Sequence, residues 1–299
     1  MYEVAALYHF APVENPPEVA DRLRCVAEAG DVRGTLLLAH EGINGTIAGG
    51  RGPVEAVLAA IRTEPGLEAL AVKWSAASSR PFAKLKVRVK AEIVTMGQPD
   101  LDPARQAGER VAPVDWNALI SAPDVAVIDT RNAYEVAIGS FEGAVDPGTE
   151  SFRDFPAWWD ANRAAFDGKR IAMFCTGGIR CEKSTAYLKA QGVEEVYHLA
   201  GGILKYLEEV PEPESLWRGG CFVFDERVAV SHGLAQTEHL LCRACRRPLE
   251  PVDVTRPEFE LGVQCHLCVA EYEPEDRARF RERQRQIALA RSRGERHLG

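Results

Sequence analysis

Hydrophobic periodicity in the first 95 residues predicts an alternation of strands and helices. Period-two alternation of apolar and polar side chains indicates strands, and apolar spacing near 3.6 residues indicates helices. In chain order the pattern predicts strand 4–10, helix 17–29, strand 33–39, strand 42–48, helix 52–61 and strand 85–94. The order β-α-β-β-α-β is that of a ferredoxin-like α+β domain, which we assign to residues 1–95.

Residues 113–218 show a different pattern, in which short, fully apolar strands alternate with helices. The predicted strands are 125–128, 144–146, 169–174 and 196–199, and helices are predicted at 116–120, 156–166, 184–191 and 203–208. Fully apolar strands between helices indicate a parallel sheet covered on both faces, which makes this a central α/β domain. Residues 96–112 are rich in glycine and proline and predict a linker.

The pattern changes again after Pro213. Residues 219–275 are rich in cysteine, and residues 276–299 form a basic tail that we predict to be largely helical. The tail contains Arg277, Arg279, Arg281, Arg283, Arg285, Arg291, Arg293 and Arg296.

Composition narrows the class of protein. The 299 residues contain 46% hydrophobic and 27% charged side chains, which is typical of a globular protein. Neither a signal-peptide layout nor an apolar stretch long enough to span a bilayer is present, so we expect a cytoplasmic protein without a membrane partner. The net charge of −8 argues weakly against a nucleic-acid partner, although local basic segments remain. Eight cysteines in a chain of this length do not indicate a disulfide scaffold, and we expect them to be free, catalytic or metal-bound.

Cys175 stands at the most informative position of the chain. The apolar strand 169–174 ends there, the loop Thr176, Gly177, Gly178 and Ile179 follows, and Arg180 opens a helical pattern. Backbone N–H groups and the positive end of the helix dipole stabilise an anion at such a place, and they lower the pKa of a cysteine. We therefore predict a reactive thiolate. The alternative is a buried structural cysteine beside an ordinary turn.

Three motifs resemble the signatures of rhodanese-type sulfurtransferase domains over about residues 113–218. These are Asp129-Thr-Arg131 with Tyr134-Glu135 and Glu142-Gly143-Ala144, then the loop from Cys175 to Cys181, and finally Leu199-Ala-Gly-Gly202. The chain departs from the pattern at Ser140, where many such domains have a histidine. Phosphatases of the Cdc25 type have a loop one residue longer, and the four residues between Cys175 and Arg180 favour sulfur over phosphate.

A longer pattern narrows the resemblance. His40-Glu-Gly-Ile-Asn-Gly-Thr46, followed by Thr130-Arg131-Asn132 and Cys175-Thr-Gly-Gly-Ile-Arg-Cys-Glu-Lys183, closely resembles the rhodanese-type tRNA uridine hydroxylases over about residues 1–230. The resemblance implies oxygen-dependent conversion of the wobble uridine, position 34 of tRNA, to 5-hydroxyuridine. It further implies that Cys175 is essential and can be persulfide-bearing, that Arg180 supports the anion, and that Cys181 is a resolving or supporting thiol.

The same resemblance implies the partners and co-substrates. They are the anticodon loop of tRNA, molecular oxygen and, as a possible further partner, a persulfide donor protein. We see no flavin or nucleotide motif in the sequence.

Several residues near the motifs have two interpretations. Cys181 either acts in redox chemistry or packs against the sheet. Asp129 and Arg131 are better explained as a structural ion pair at a strand end than as catalytic groups, and we assign them a supporting role. His40 is either functional or a hydrogen-bonded turn residue, and Cys25 is expected in the core.

Four cysteines predict a zinc site. Cys242-Arg-Ala-Cys245 and Cys265-His-Leu-Cys268 are separated by nineteen residues, which is the spacing of a zinc ribbon. Two such pairs can converge tetrahedrally on one structural zinc ion, which stabilises a segment too small to fold alone. The alternative is four unmetallated thiols, and Cys221, His232, His239 and His266 leave the ligand set open.

Basic side chains at alternate positions predict contacts to RNA phosphates. Lys84, Lys86, Arg88 and Lys90 should project from one face of a strand. A solvated sheet face explains the charges equally well, and the arginine tail has the same two interpretations.

The sequence motifs leave three candidate functions. We favour the tRNA uridine hydroxylase. A plain thiosulfate or persulfide sulfurtransferase shares every cysteine argument and differs only in the acceptor. A non-catalytic RNA- or protein-binding module is disfavoured because the loop from Cys175 to Arg180 is intact.

Overall fold

The computed structural model describes residues 2–77 and 80–294. They group into two compact units, Met1–Ala133 with Glu142–Leu216, and Tyr134–Phe141 with Trp217–Gly299.

The first unit begins with a mixed α+β sheet. Its elements are β1 (Tyr2–Phe10), α1 (Pro16–Ala29), β2 (Arg33–Ala39), β3 (Gly42–Gly49), α2 (Arg51–Arg62), β4 (Val72–Ala77) and β5 (Leu85–Val89). The strand order is β4-β1-β3-β2-β5, antiparallel except for the parallel pair β2–β5. The predicted β-α-β-β-α-β order is thereby confirmed.

One strand assignment within this sheet is wrong. The last strand of the β-α-β-β-α-β unit is β4, which sequence analysis missed, whereas the strand predicted at 85–94 is a fifth, edge strand that ends at Val89. The side chains of β4 are nearly all half-buried, so the strand lacks the strict alternation of buried and exposed positions by which a strand is recognised.

Helices α1 and α2 cover one face of this sheet. Alternate side chains of the strands, among them Leu7, Leu36, Leu38, Ile43 and Ile47, pack with the apolar stripes of both helices. These strand residues are at most 4% exposed, so this face forms the core of the domain.

A parallel sheet follows in the same unit, and residues 134–141, which belong to the second unit, interrupt its sequence. The elements from here to residue 209 are α3 (Pro103–Gln106), β6 (Glu109–Val111), α4 (Pro113–Ile120), β7 (Val125–Asp129), α5 (Ala133–Val136), β8 (Gly139–Phe141), α6 (Phe155–Asn162), β9 (Arg170–Phe174), α7 (Ile179–Ala190), β10 (Val196–Leu199) and α8 (Gly202–Glu209). Strands β6, β10, β9 and β7 form the sheet in that order, and all of its pairs are parallel.

Two predictions for this region differ from the structure. Segment 96–112, predicted to be a linker, contains α3 and contributes β6 to the parallel sheet. Three residues are too short for a periodicity to be visible, which explains why the strand was missed. The strand predicted at 144–146 is a single bridge between Val145 and Ile128.

The second unit contains short antiparallel pairs. Strand β8 pairs with β11 (Trp217–Gly219), β12 (Cys221–Phe222) pairs with β13 (Ala229–Val230), and β14 (Leu240–Leu241) pairs with β15 (Pro248–Leu249). The basic tail forms α9 (Pro274–Ser292), and Arg296 lies outside the described residues. No helix in the described ranges is long and apolar enough to cross a membrane.

Candidate active site

Cys175 lies at the carboxyl end of β9, and the loop after it folds around the sulfur. The Gly178 N–H donates to Cys175 Sγ at 3.1 Å, and Gly178 has a φ of +103°, a conformation that favours glycine. The first turn of α8 closes the loop from the other side, where the Ile203 N–H donates to Cys175 O at 3.0 Å. Cys175 is only 1% exposed. The loop therefore holds the sulfur in a fixed, nearly dry position.

A second glycine makes this close packing possible. Gly202 has a φ of +68°, and a Cβ at that position would lie 2.5 Å from Cys175 O. The Leu199-Ala-Gly-Gly202 motif thus brings the start of α8 against the loop backbone, where no larger residue fits.

The environment of Cys175 stabilises its thiolate. Burial by itself would raise the pKa of Cys175, but four contacts outweigh it: the hydrogen bond from the Cys181 thiol, the charge of Arg180, and the backbone N–H groups of Cys181 and Gly178. Together they lower the pKa of Cys175 to about 5. At neutral pH the sulfur is an anion, the nucleophilic form.

Cys181 is the thiol beside this anion. It is fully buried in the first turn of α7, and its Sγ lies 3.6 Å from Thr130 Oγ1. Burial and the neighbouring Cys175 sulfur raise the pKa of Cys181 well above its ordinary value. The pair thus consists of one thiolate and one neutral thiol, which is a hydrogen-bond donor to it.

Asp129 and Arg131 form a fully buried ion pair at the end of β7. Arg131 Nε donates to Asp129 Oδ1 at 2.9 Å and Arg131 Nη2 to Asp129 Oδ2 at 2.6 Å. The bidentate geometry satisfies both charges inside the domain and fixes the backbone next to Thr130.

Two residues of the N-terminal sheet contact the Cys175 loop, and sequence analysis missed both. Lys73 Nζ on β4 donates to Gly177 O at 2.8 Å and also to Gly201 O. Tyr8 Oη on β1 donates to Glu182 Oε1 at 3.0 Å and would lie 2.7 Å from a Cβ at Gly178. The first sheet thus forms one wall of the site.

The His40–Thr46 motif joins the N-terminal sheet to the helix that follows Cys175. Glu41 Oε2 accepts a hydrogen bond from Lys183 Nζ at 2.6 Å, and Glu92 Oε2 lies 2.7 Å from the same ammonium. The Lys183 side chain is fully buried, and the side chains of Glu41 and Glu92 are only 9% and 4% exposed. This motif therefore positions α7, a role that its sequence alone did not reveal.

Other predicted residues lie away from the loop. His40 Nδ1 lies 3.0 Å from Val13 O, which is a turn contact. The expectation that Cys25 belongs to the core is wrong, because it is exposed on α1. Its position on the helix lies beside the buried stripe of Leu23 and Ala27.

The four cysteines of the second unit converge. Their sulfur atoms all lie within 4.8 Å of one another, and the pairs Cys242–Cys268, Cys245–Cys265 and Cys265–Cys268 are 4.0, 3.9 and 3.6 Å apart. Tetrahedral zinc with Zn–S bonds of about 2.3 Å needs sulfur atoms about 3.8 Å apart. The donor set and its spacing therefore fit a structural zinc ion. Of the open alternatives, His232, His239 and His266 do not join this group within the described part of the chain.

The two basic segments have different environments. Lys84, Lys86, Arg88 and Lys90 are exposed along and beside β5. Several arginines of α9 instead bond to neighbours in their own unit, for example Arg281 to Glu260 and Arg277 to the carbonyl of Val269. The first segment is thus the more accessible to a polyanion.

Comparisons with known proteins agree with the fold. The sequence matches the UPF0176 acylphosphatase like domain over residues 2–93 and the rhodanese-like domain over residues 113–209. These features define a rhodanese-like protein with an acylphosphatase-like N-terminal domain.

Full-length relatives specify the family. A tRNA uridine(34) hydroxylase of Jannaschia sp. (strain CCS1) is 67% identical over 100% of this chain and 99% of its own length. The protein of the same name from Ruegeria pomeroyi is 62% identical over 100% of this chain and 99% of its own, and that of Roseobacter denitrificans 58% over 98% and 99%. The chain belongs to the tRNA uridine(34) hydroxylase family.

Proposed function

We propose that this protein hydroxylates uridine 34 of tRNA to 5-hydroxyuridine. The observation that supports this most is the 67% identity, over the full chain, to a relative named for that activity. The Cys175 loop adds chemical support, because it holds a nucleophilic thiolate beside a second thiol.

In this proposal Cys175 is the catalytic nucleophile. Arg180 and the loop N–H groups keep its sulfur anionic, and the loop from Thr176 to Ile179 aims those N–H groups inward. Cys181 donates a hydrogen bond to the thiolate and would act as a resolving or supporting thiol. Asp129 and Arg131 support the loop through the backbone at the end of β7.

Each segment of the chain has its own role in this proposal. Residues 1–95 would hold the anticodon loop, with Lys84, Lys86, Arg88 and Lys90 contacting phosphates. Residues 113–218 would present Cys175, and residues 219–275 would bind zinc through their four cysteines. Molecular oxygen would be the co-substrate, and a persulfide donor protein a possible further partner.

The experiment is nucleoside mass spectrometry of tRNA from cells lacking the gene. Complementation with the wild-type gene and with Cys25→Ala, an exposed cysteine on α1, should restore 5-hydroxyuridine derivatives. Complementation with Cys175→Ala should not. Labelling with ¹⁸O₂ should place the heavy oxygen in the nucleoside.

Other outcomes would change the assignment. Intact hydroxyuridine with a missing thiolated nucleoside would indicate a sulfurtransferase. Hydroxyuridine that is unchanged by the deletion, with every thiolated nucleoside present, would contradict both enzymatic assignments.

A further inference from the structure

The face of the N-terminal sheet opposite α1 and α2 contains two aligned rows of side chains. Strand register places Tyr8, Asn44, Leu37 and Arg88 side by side across β1, β3, β2 and β5. The next row contains Lys73, Ala6, Thr46, Thr35 and Lys86. We call these two sets the open rows, since each of their side chains is half-buried or exposed. The segment after β5 covers the first row at Asn44, whose Nδ2 donates to Ile93 O at 2.9 Å, so the second row is the more open of the two.

One end of the open rows lies at the reactive cysteine. Lys73 bonds to the carbonyl of Gly177, and Tyr8 bonds to Glu182 in the first turn after the loop. The other end is the β5 edge, where Lys86 and Arg88 are exposed. Along the second row, four strand spacings of about 4.8 Å separate Lys73 from Lys86, a path of about 19 Å.

The charge of the open rows is opposite to that of the whole protein. The chain has 44 acidic and 36 basic residues and a net charge of −8. None of the side chains in the open rows is acidic, and Lys84 and Lys90 add positive charge at the same edge. A local reversal of this kind is complementary to a polyanion.

The shape of the rows favours a single strand over a duplex. Small side chains at Ala6, Thr35 and Thr46 form the middle of the path, so that a chain can approach the sheet closely. About 19 Å corresponds to about five or six stacked nucleotides at about 3.4 Å each, which is within the length of a tRNA loop. Sheet faces with an aromatic side chain and a basic border are a common way to bind unpaired bases.

We infer that the open rows bind the single-stranded anticodon loop, with phosphates at Lys86 and Arg88 and the target base delivered past Tyr8 to the Cys175 loop. This inference rests on the proposed function for the identity of the RNA. Because Cys175 is only 1% exposed, the arriving base must displace side chains that cover the Cys175 loop. Tyr8 and Lys73 are the side chains of the N-terminal sheet that contact this loop and the helix turn after it.

The test measures binding of a fluorescent anticodon stem-loop RNA to the full-length protein by anisotropy over a range of salt concentrations. Lys86→Gln/Arg88→Gln removes two charges from the β5 edge. The matched control Arg22→Gln/Arg51→Gln removes two charges from α1 and α2, which cover the opposite face. We expect the slope of log K against log salt to fall by about 1.4 in the first variant, at about 0.7 per lost phosphate contact, and to stay unchanged in the control.

A second variant tests the middle of the path. Thr46→Glu introduces a carboxylate among the small side chains and should weaken binding by about tenfold or more at low salt, the effect of roughly one unfavourable charge contact. A circular dichroism spectrum like that of the wild type shows that the variant is folded. If Lys86→Gln/Arg88→Gln has the wild-type salt slope, the inference is overturned whatever the result at Thr46.

Competition separates the sources of binding. Unlabelled duplex RNA of equal length should compete poorly; equal competition would contradict the single-strand assignment. The binding measurement does not depend on hydroxylation, so the two ideas can fail separately. Suppose that the wild-type protein binds the stem-loop through Lys86 and Arg88 but produces no 5-hydroxyuridine. This result would support RNA binding by the open rows and would refute the proposed function.

Discussion

The two cysteine sites of this protein use the same side chain in opposite ways. At Cys175 one sulfur is ionised, and amide N–H groups, the Cys181 thiol and Arg180 stabilise that single charge. In the second unit four sulfur atoms lie within 4.8 Å of one another, an arrangement in which only a bound cation can balance four thiolates. The groups around a sulfur therefore decide its chemistry: the first site stabilises a single nucleophilic thiolate, and the second brings four sulfurs close enough to be ligands of one metal ion.

The largest expected effect is at the four-cysteine cluster. Cys265→Ser removes one of four ligands, and structural zinc contributes about 10 kcal/mol or more to the folding of small zinc domains. We expect about one zinc per wild-type chain by elemental analysis, less than a tenth of that in the variant, and rapid proteolysis between residues 240 and 272.

Cys221→Ala is the matched control for this variant. Cys221 is a buried cysteine of the same unit that lies outside the cluster, so its replacement should leave the zinc content unchanged. Alkylation of Cys175 should be the same in both variants if the two cysteine sites are chemically separate. A wild-type chain without bound metal would contradict the assignment of the four cysteines as zinc ligands.

The two sites also differ in how far the sequence predicts them. The cluster is encoded by local spacing, since each Cys-x-x-Cys pair fixes two ligands and the nineteen intervening residues bring the pairs together. The Cys175 loop is equally local, and its strand, glycines and helix start were all predicted. The contacts around it are not: Tyr8 and Glu182 are 174 positions apart, and Lys183 and Glu41 are 142 apart.

No periodicity links such distant positions, because each residue satisfies only its own strand or helix pattern. Lys183 in particular follows the pattern of a polar helix residue, and its complete burial becomes visible only when Glu41 and Glu92 are placed against it. The strand β4, which supplies Lys73, was missed for the related reason that an edge strand is half-buried on both sides.

The next largest effect should come from breaking this long-range support. Lys183→Met leaves two buried carboxylates facing each other without a cation, and removing one partner of a buried ion pair costs about 3–5 kcal/mol. We expect a urea unfolding midpoint well below that of the wild type. Lys189→Met, an exposed position on the same helix, should change the free energy of unfolding by less than about 0.5 kcal/mol.

A compensating variant distinguishes lost charge balance from lost packing. Glu92→Gln removes one of the two charges and keeps one side-chain oxygen, so that one of the two hydrogen bonds from the Met96 and Gly97 N–H groups is retained. Combined with Lys183→Met it should recover part of the lost stability. If Lys183→Met unfolds like the wild type, the ion cluster does not support α7.

The smallest effect, and the most specific one, concerns the charge at Arg180. Its guanidinium lowers the pKa of Cys175, and an opposite charge at this distance shifts a pKa by about 1–3 units. The thiolate exists above its pKa and is protonated as the pH falls through it. Arg180→Gln should therefore raise the midpoint of Cys175 alkylation from near pH 5 toward pH 7, with about a tenfold slower reaction at pH 6 and little change at pH 9.

Arg170→Gln provides the control for that measurement. Arg170 lies at the start of β9, the strand that ends at Cys175, and pairs with Asp124 at the surface. Its replacement removes the same charge from the same strand region but should leave the alkylation midpoint unchanged. Iodoacetamide labelling with quantification of the Cys175 peptide by mass spectrometry gives both profiles. An Arg180→Gln midpoint that stays near pH 5 would mean that the N–H groups of Gly178 and Cys181 and the Cys181 thiol stabilise the thiolate without the charge of Arg180.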